Sequence, residues 1–423
     1  YSIGPYTNQP YDIDDDPTTF SDTERARILE IWQLVADDYA PFDIDVTTED
    51  PGIDGLRRSN PTDTTYGTRT VITSSDWFAA ANSGRRIGGI ALLNVFTSGT
   101  DHASYVFSSN LGNGHAKYVA DAASHEAGHT FSLTHDDTTG SDYYGGHGSW
   151  GPIMGSPYRR AVTQWSNGQY PTATNSEDDL DKIAARGGVL TDDHAGTSAD
   201  ATTVSEGSHT GVIGVGGDID TFRITPAGGD TAITVTSPAP ATNLVAKLTV
   251  RDDVGEVVTE VDPDTASGWS LDTVVPASTG AFTVEVSGTS WLTPADGFVA
   301  YGSLGAYTLT VDALPGSSTT TSTTSAPTTT APTTTSSTTT TTSPPPTSAT
   351  TTSSAPTTTT PSSSSTTTST PTTTTTTSPS TTSTSTSSTT TTSSTPTSST
   401  TTTTSTSTTS TSTTTSTTTP PTT

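Results

Sequence analysis

Apolar residues recur at three- and four-residue intervals through Ile28, Trp32, Val35 and Tyr39, the spacing that lines one face of a helix. "SDTE" at 21–24 precedes the run as a capping box, Ser21 accepting from the backbone while Glu24 reaches back, and Pro41 ends it. Period-two alternation then marks "FDIDVTT" (42–48) and "TRTVIT" (68–73) as half-buried strands. "GGIALLNVF" (88–96) is a more continuous apolar run and "SYVFSS" (104–109) a further short strand. An alanine-rich helix begins near Ala116 in "AKYVADAASHEAGHTFSL", and a glycine- and aromatic-rich loop over 134–158 follows it. "NSEDDLDKIAAR" (175–186) reads as a capped closing helix with an acidic start. Past Gly188 the pattern turns to short β runs, "DTFRIT", "TAITVTS", "AKLTVRD", "AFTVEVS" and "YTLTVDA", parted by Gly, Pro, Asp and Ser as in a sandwich. From about Ser317 only Thr, Ser, Pro and Ala occur, which cannot build a core against chain entropy. The pattern predicts α/β-type alternation over 1–190, an all-β sandwich over 191–315, and a disordered tail over 316–423.

Composition sharpens this. All of the formal charge of -28, from 43 acidic and 15 basic residues, sits outside the tail, and it repels phosphate backbones and anionic lipid surfaces. Nucleic acid is therefore not an expected partner. Lysine occurs only at 117, 182 and 247, which is compatible with a salty habitat. Cysteine is absent, so neither disulfides nor thiolate ligands are available and metal chemistry falls to histidine and carboxylate. The chain opens at Tyr1 and has no apolar run long enough for a signal peptide or a membrane span, so a start removed by processing is expected. A Ser/Thr/Pro tail has the composition of an O-glycosylated stalk. It implies a secreted or cell-surface protein, with surface or glycan association through the tail.

Three of the eight histidines fall within "HEAGHTFSLTHD", 125–136. His125 and His129, four apart on a helix, lie on one face with β-carbons about 6 Å apart, so both imidazoles can reach one zinc ion at about 2 Å. Glu126 points slightly aside, where it can hold a zinc-bound water as general base and later protonate a leaving amine. His135 is too far along a continuous helix to share that face, so the chain must fold back for it to complete three protein ligands and one open position.

These residues resemble the long zinc signature of the metzincin metallopeptidases, H-E-x-x-H-x-x-G-x-x-H, and Asp136 matches the reprolysin-like (adamalysin-like) branch. The resemblance implies an α+β (α/β-type) catalytic domain with a mixed, twisted sheet, His125, His129 and His135 as zinc ligands, Glu126 as base, and a methionine turn beneath the site; the chain's single methionine is Met154, in "GPIMGSPY". Asp136 would steady the structure below the site. The family's glycine is replaced by Ser132, and a left-handed backbone there would cost serine about 1–2 kcal/mol. Tyr158, four residues past Met154, is a candidate transition-state stabiliser, with core packing as the alternative. "GGIALLNVF" is then the edge along which a peptide substrate would lie. "TDDHAGTSADAT", "DIDTFRI" and "GSLGAYTLTV" are similar to the bacterial pre-peptidase C-terminal domain, which implies a structural or substrate-anchoring role, with Trp269 and Trp291 as packing aromatics.

The expected function is secreted, zinc-dependent hydrolysis of peptide bonds in protein or peptide substrates. Two alternatives stand beside it: a gluzincin-type peptidase with Glu177 as third ligand, four residues before Asp181, and a catalytically inactive surface adhesin. Asp12, Asp14 and Asp16 hint at a calcium ion but lack the glycine and distal Glu of an EF-hand loop. His102, His115 and His147 read as loop residues.

Overall fold

The computed structural model describes residues 7–237, 243–264 and 269–315; the predicted tail lies outside them. Ser21 caps helix α1 (Asp22–Tyr39) through the capping box the sequence announced, with both reciprocal bonds to Glu24 in place. Ile31 and Leu34 of α1 pack with Val119, Ala120 and Ala123 of a second long helix and with Val106 of the sheet. Two short helices, α2 (Gly52–Gly55) and α3 (Trp77–Ala81), were not foreseen. The long helix is therefore α4 (Ala116–Thr130), and its alanines allow the close approach to α1.

The N-terminal sheet has three strands, β1 (Thr70–Thr73), β2 (Gly89–Ile90) and β3 (Ser104–Phe107), in the order β1-β3-β2. β1 runs parallel to β3 and β2 antiparallel to it, so the sheet is mixed as predicted, with β2 at an edge.

Two strand expectations fail. Residues 42–48 form no strand: Val46 accepts from the Trp32 indole at 2.6 Å, and the Asp43 N–H bonds the Gly188 carbonyl. Those backbone groups are taken by a helix end and a side chain rather than by a neighbouring strand. The run 88–96 is a strand only over its first residues. Beyond them the backbone turns at Asn94, with φ 58°, and the N–H groups of Asn94 and Phe96 cap the His129 and Thr130 carbonyls at the end of α4. A helix end left with unsatisfied acceptors outcompetes strand pairing here.

A parallel pair, β4 (Trp150–Pro152) and β5 (Val162–Gln164), and helix α5 (Asp179–Gly187), capped by Asp178, complete this part. Beyond it come nine strands, β6 (Thr202–Val204), β7 (Gly207–Ile213), β8 (Ile219–Ile224), β9 (Thr231–Thr236), β10 (Ala246–Asp252), β11 (Val257–Val261), β12 (Leu271–Val275), β13 (Phe282–Gly288) and β14 (Gly305–Ala313). They form two sheets, β11-β10-β13-β8-β6 and β12-β9-β14-β7, whose inward residues Phe222, Ile233, Leu248, Val284 and Leu309 share one core, a sandwich arrangement. The four strands missed in sequence, β6, β7, β11 and β12, expose much of their length, whereas β9 and β14 alternate and β8, β10 and β13 carry runs of buried residues.

The sandwich is fastened to the N-terminal elements by buried polar bonds. The Asn243 N–H donates to Asp37 at 3.1 Å and its side-chain amide to Asp38 at 2.8 Å, while Gln164 donates to the Asn243 carbonyl. Trp269 and Trp291 pack edge-to-face beside Phe298, in a cluster with Trp150 and Val162. No helix among the described residues is long and apolar enough to cross a membrane.

Candidate metal centre

α4 ends at Thr130, and Ser132 turns the chain with φ 76° in the left-handed region. This is the conformation that would have suited glycine, held by the Ser132 N–H on the His129 carbonyl and by Lys182 on the Ser132 carbonyl. The turn carries His135 back over the helix. His125, His129 and His135 then offer ring nitrogens that all lie within 4.8 Å of one another.

Two of the rings are oriented from behind. His125 Nδ1 meets the Ile153 carbonyl at 2.9 Å, and His129 Nδ1 meets the Leu133 carbonyl at 2.9 Å. A carbonyl only accepts, so each Nδ1 carries the proton and each Nε2 presents a lone pair. His129 Nε2 and His135 Nε2 stand 3.2 Å apart. Tetrahedral ligands at Zn–N distances of 2.0–2.1 Å would be separated by about 3.3 Å. Burial pushes the His125 pKa down to about 3 and that of His135 to about 4, and lowers His129 as well, with neighbouring imidazoles adding to the fall at His125 and His135. The rings are therefore neutral at ordinary pH, the form a metal needs. Donor type, tautomer and spacing fit zinc.

Glu126 lies on the same turn of α4, buried and without a hydrogen-bond partner among the described residues, and burial raises its pKa to about 8. A cation beside it would bring that value down. Its side chain lies against the edge strand: a Cβ at Gly89 would fall 2.5 Å from Glu126 Cγ and 2.6 Å from Oε1. Only glycine leaves room there.

Met154 is fully buried beneath the helix, where a Cβ at Gly128 would come within 2.7 Å of its sulfur. Its carbonyl accepts from the Asp136 N–H at 2.9 Å, and its neighbour Ile153 holds His125, so one short segment ties both ends of the motif. Asp136 is buried, accepts from the Tyr170 hydroxyl at 3.1 Å, and has its pKa raised to about 7 by burial.

Tyr158 packs against Tyr118, as its core alternative expected, but its hydroxyl lies beside Gly88, next to the glycine that abuts Glu126, and the charges of Asp121 and Glu126 add to the rise in its pKa that burial causes, so it borders the centre. The remaining sequence candidates fall elsewhere. Glu177 binds the Thr134 N–H and hydroxyl and the Lys182 ammonium, apart from the three histidines. Asp12 and Asp14 come together with Glu24 rather than Asp16, and Glu24 already accepts from the Ile13 and Ser21 N–H groups. His115 precedes α4 and stacks on Tyr118, His147 bonds Tyr144, and the His102 carbonyl accepts from Thr68.

Two contributors escaped sequence reasoning. Tyr143 stacks its ring 4.1 Å from His135 and 6.1 Å from His125, and Gly89 makes the space for Glu126. The doubled tyrosine in a glycine-rich loop was a signal for the first; nothing in spacing marked the second.

No protein-family model matches the chain, and comparison with curated proteins finds no match. Among solved structures, the pre-peptidase C-terminal domain of a Bacillus anthracis collagenase is similar at 15% identity and a TM-score of 0.20, over 26% of this chain and 94% of that one. The g-type lysozyme inhibitor PliG of Aeromonas hydrophila aligns at 14% identity and a TM-score of 0.18, over 26% of this chain and 95% of its own. PliG of Salmonella Typhimurium does so at 16% and 0.17, over 26% and 96%. No functional conclusion follows from likenesses of this size.

Proposed function

We propose that the chain is a secreted, zinc-dependent endopeptidase of the metzincin kind, with the peptidase part over 1–190, a pre-peptidase C-terminal-like sandwich over 191–315 and a Ser/Thr/Pro stalk. The reading rests on one observation above all: three neutral imidazoles converge, two of them with the outer nitrogen pinned by a backbone carbonyl, beside a buried and unpartnered carboxylate. Zinc held by His125, His129 and His135 would supply a Lewis acid that polarises the scissile carbonyl and brings the pKa of water to about 7. Glu126 removes the proton as the water oxygen bonds to the carbonyl carbon, then delivers it to the nitrogen as the C–N bond breaks. The open side of β2 provides unpaired backbone groups for an extended peptide, and Gly89 lets that edge approach Glu126. Met154 and Asp136 keep the ligand-bearing segments in register.

The test pairs elemental analysis with a casein assay. Expected are one zinc per chain, loss of hydrolysis with a chelator, and a fall of about 10²–10⁴-fold in Glu126→Gln with zinc retained. Equal activity in all three samples defeats the peptidase reading, and zinc without turnover in the wild type would leave an inactive surface-binding protein. Zinc retained in His135→Ala but lost in Glu177→Ala would transfer the third ligand to Glu177.

A further inference from the structure

The three imidazoles are not held alike. Behind His125 and His129 stand the Ile153 and Leu133 carbonyls, each 2.9 Å from Nδ1. The one polar contact of the His135 ring among the described residues is His129 Nε2, 3.2 Å from its own Nε2, on the side where the cation would sit. A metal that takes both lone pairs ends that contact. The backbone of this residue is fixed on every side: the Thr134 N–H donates to Glu177 at 2.7 Å, the Asn175 amide to the His135 carbonyl at 2.9 Å, and the Asp136 N–H to the Met154 carbonyl at 2.9 Å. What remains free is rotation of the imidazole about its two side-chain torsions.

Tyr143 meets that imidazole face on. Its ring centroid lies 4.1 Å from that of His135 with the planes 35° apart, and 6.1 Å from that of His125. The backbone sets this pair. The Tyr144 N–H donates to the Asp136 carbonyl at 2.8 Å, so residues 143 and 135 lie beside one bond, and the Thr138 N–H closes the loop between them on the Ser141 carbonyl at 2.9 Å. The Tyr143 carbonyl accepts from the Ser141 hydroxyl at 2.7 Å. Tyr143 itself is 47% exposed, so its removal empties no place in the interior and costs the fold little.

We propose that Tyr143 is the positioning residue of the third ligand: the face of its ring does for His135 what a backbone carbonyl does for His125 and for His129, holding the imidazole where Nε2 points at the shared cation. The proposal rests on the metal centre of the peptidase reading. A close aromatic pair is worth about 2- to 12-fold in an equilibrium beyond the area it buries. A hydrogen-bonded partner behind a ligand is worth about 10- to 100-fold in metal affinity. His135 is therefore the most loosely oriented of the three. The ring face acts and the hydroxyl does not, so phenylalanine serves in its place.

The experiment compares the wild type, Tyr143→Phe and Tyr143→Ala as full chains. Zinc affinity is measured by competition with a chromogenic chelator, ligand geometry by the visible absorption of the cobalt-loaded protein, and the place of the ring by the ring-current shift of the His135 protons in metal-free protein. Expected for Tyr143→Ala are zinc binding about 3- to 10-fold weaker, an altered cobalt spectrum and loss of the ring-current shift, with the metal-free Tm within about 2 °C of the wild type. Tyr143→Phe should keep all of these at wild-type values. Unchanged zinc affinity in Tyr143→Ala overturns the proposal, as does an equal loss in Tyr143→Phe, which would move the role to the hydroxyl. A metal-free wild type without the ring-current shift overturns it too, and so does a fall in metal-free Tm that tracks the loss of zinc. Ring-dependent zinc binding in a wild type that cleaves no peptide defeats the peptidase reading and keeps the positioning role. Cleavage by a wild type whose zinc affinity matches that of Tyr143→Ala sinks the positioning role alone.

Discussion

The histidine centre and the junction between α1 and the sandwich both bury ionisable groups, and they stabilise them in opposite ways. At the junction, donors arrive from distant chain segments: Asn243 bonds Asp37 and Asp38, and the Ser124 hydroxyl donates to Asp38. At the centre the reverse holds. His125 and His129 are held from behind, His129 Nε2 and His135 Nε2 stand 3.2 Å apart, and Glu126 has no donor among the described residues. A group of acceptors left facing each other is tolerated where an external cation completes it. The junction is closed by the chain's own donors, whereas the centre has the arrangement that the proposed zinc would complete.

The largest effect should separate the two directly. Saturating zinc at about 1,000 times its Kd would stabilise the protein by about 4 kcal/mol, an upward Tm shift of about 8–16 °C for a unit of this size. Calorimetry of His129→Ala should show none of that shift, and Asn243→Ala should keep it. A wild type indifferent to zinc would remove the contrast.

The junction should answer to pH instead. Burial raises the carboxyl pKa from an ordinary 3.8 to about 7 at Asp37 and about 8 at Asp38. Both groups therefore hold protons more tightly folded than unfolded. Their contribution is most favourable below pH 4 and is lost as pH climbs through the window from there to 7–8, by at least about 2 kcal/mol between pH 5 and 8. Asp38→Asn, which keeps the shape of the protonated acid, should flatten that decline in urea midpoints; an unchanged slope would show that other buried acids such as Asp136 and Asp220 carry it.

A third measurement acts inside the centre. Gly89→Ala places a methyl where Glu126 now lies, so hydrolysis should fall at least about tenfold, near 1.4 kcal/mol, with zinc content unchanged. Full activity in a folded Gly89→Ala protein would mean that Glu126 moves freely and that the edge strand does not position it.

The same contrast explains what could be read in advance. The capping box at Ser21, the alanine helix and the grouping of His125, His129 and His135 are local, set by spacings of three to six residues, and the structure brings these residues together as the spacing suggested. Asn243 meeting Asp37 depends on approach between residues 206 apart, and no periodicity encodes it. The strand expected at 42–48 and all but the start of that at 88–96 failed for a related reason, since helix termini and, at Val46, the Trp32 side chain claimed backbone groups there. Gly89 looked like any glycine in a β run because its meaning lies in the side chain across from it.

The smallest effect concerns the hinge of the motif. Ser132 holds φ 76°, a region that disfavours any residue with a β-carbon by about 1–2 kcal/mol. Glycine removes that strain but widens the unfolded ensemble, which returns part of the gain. Ser132→Gly should therefore raise stability by no more than about 1 kcal/mol, or about 2–4 °C in Tm. Zinc affinity should hold steady, because the Lys182 bond to the residue's carbonyl and the N–H bond to His129 belong to the backbone and survive the change. A loss of zinc in Ser132→Gly would show instead that the strained serine stiffens the return of His135, and that the centre borrows rigidity from its own hinge.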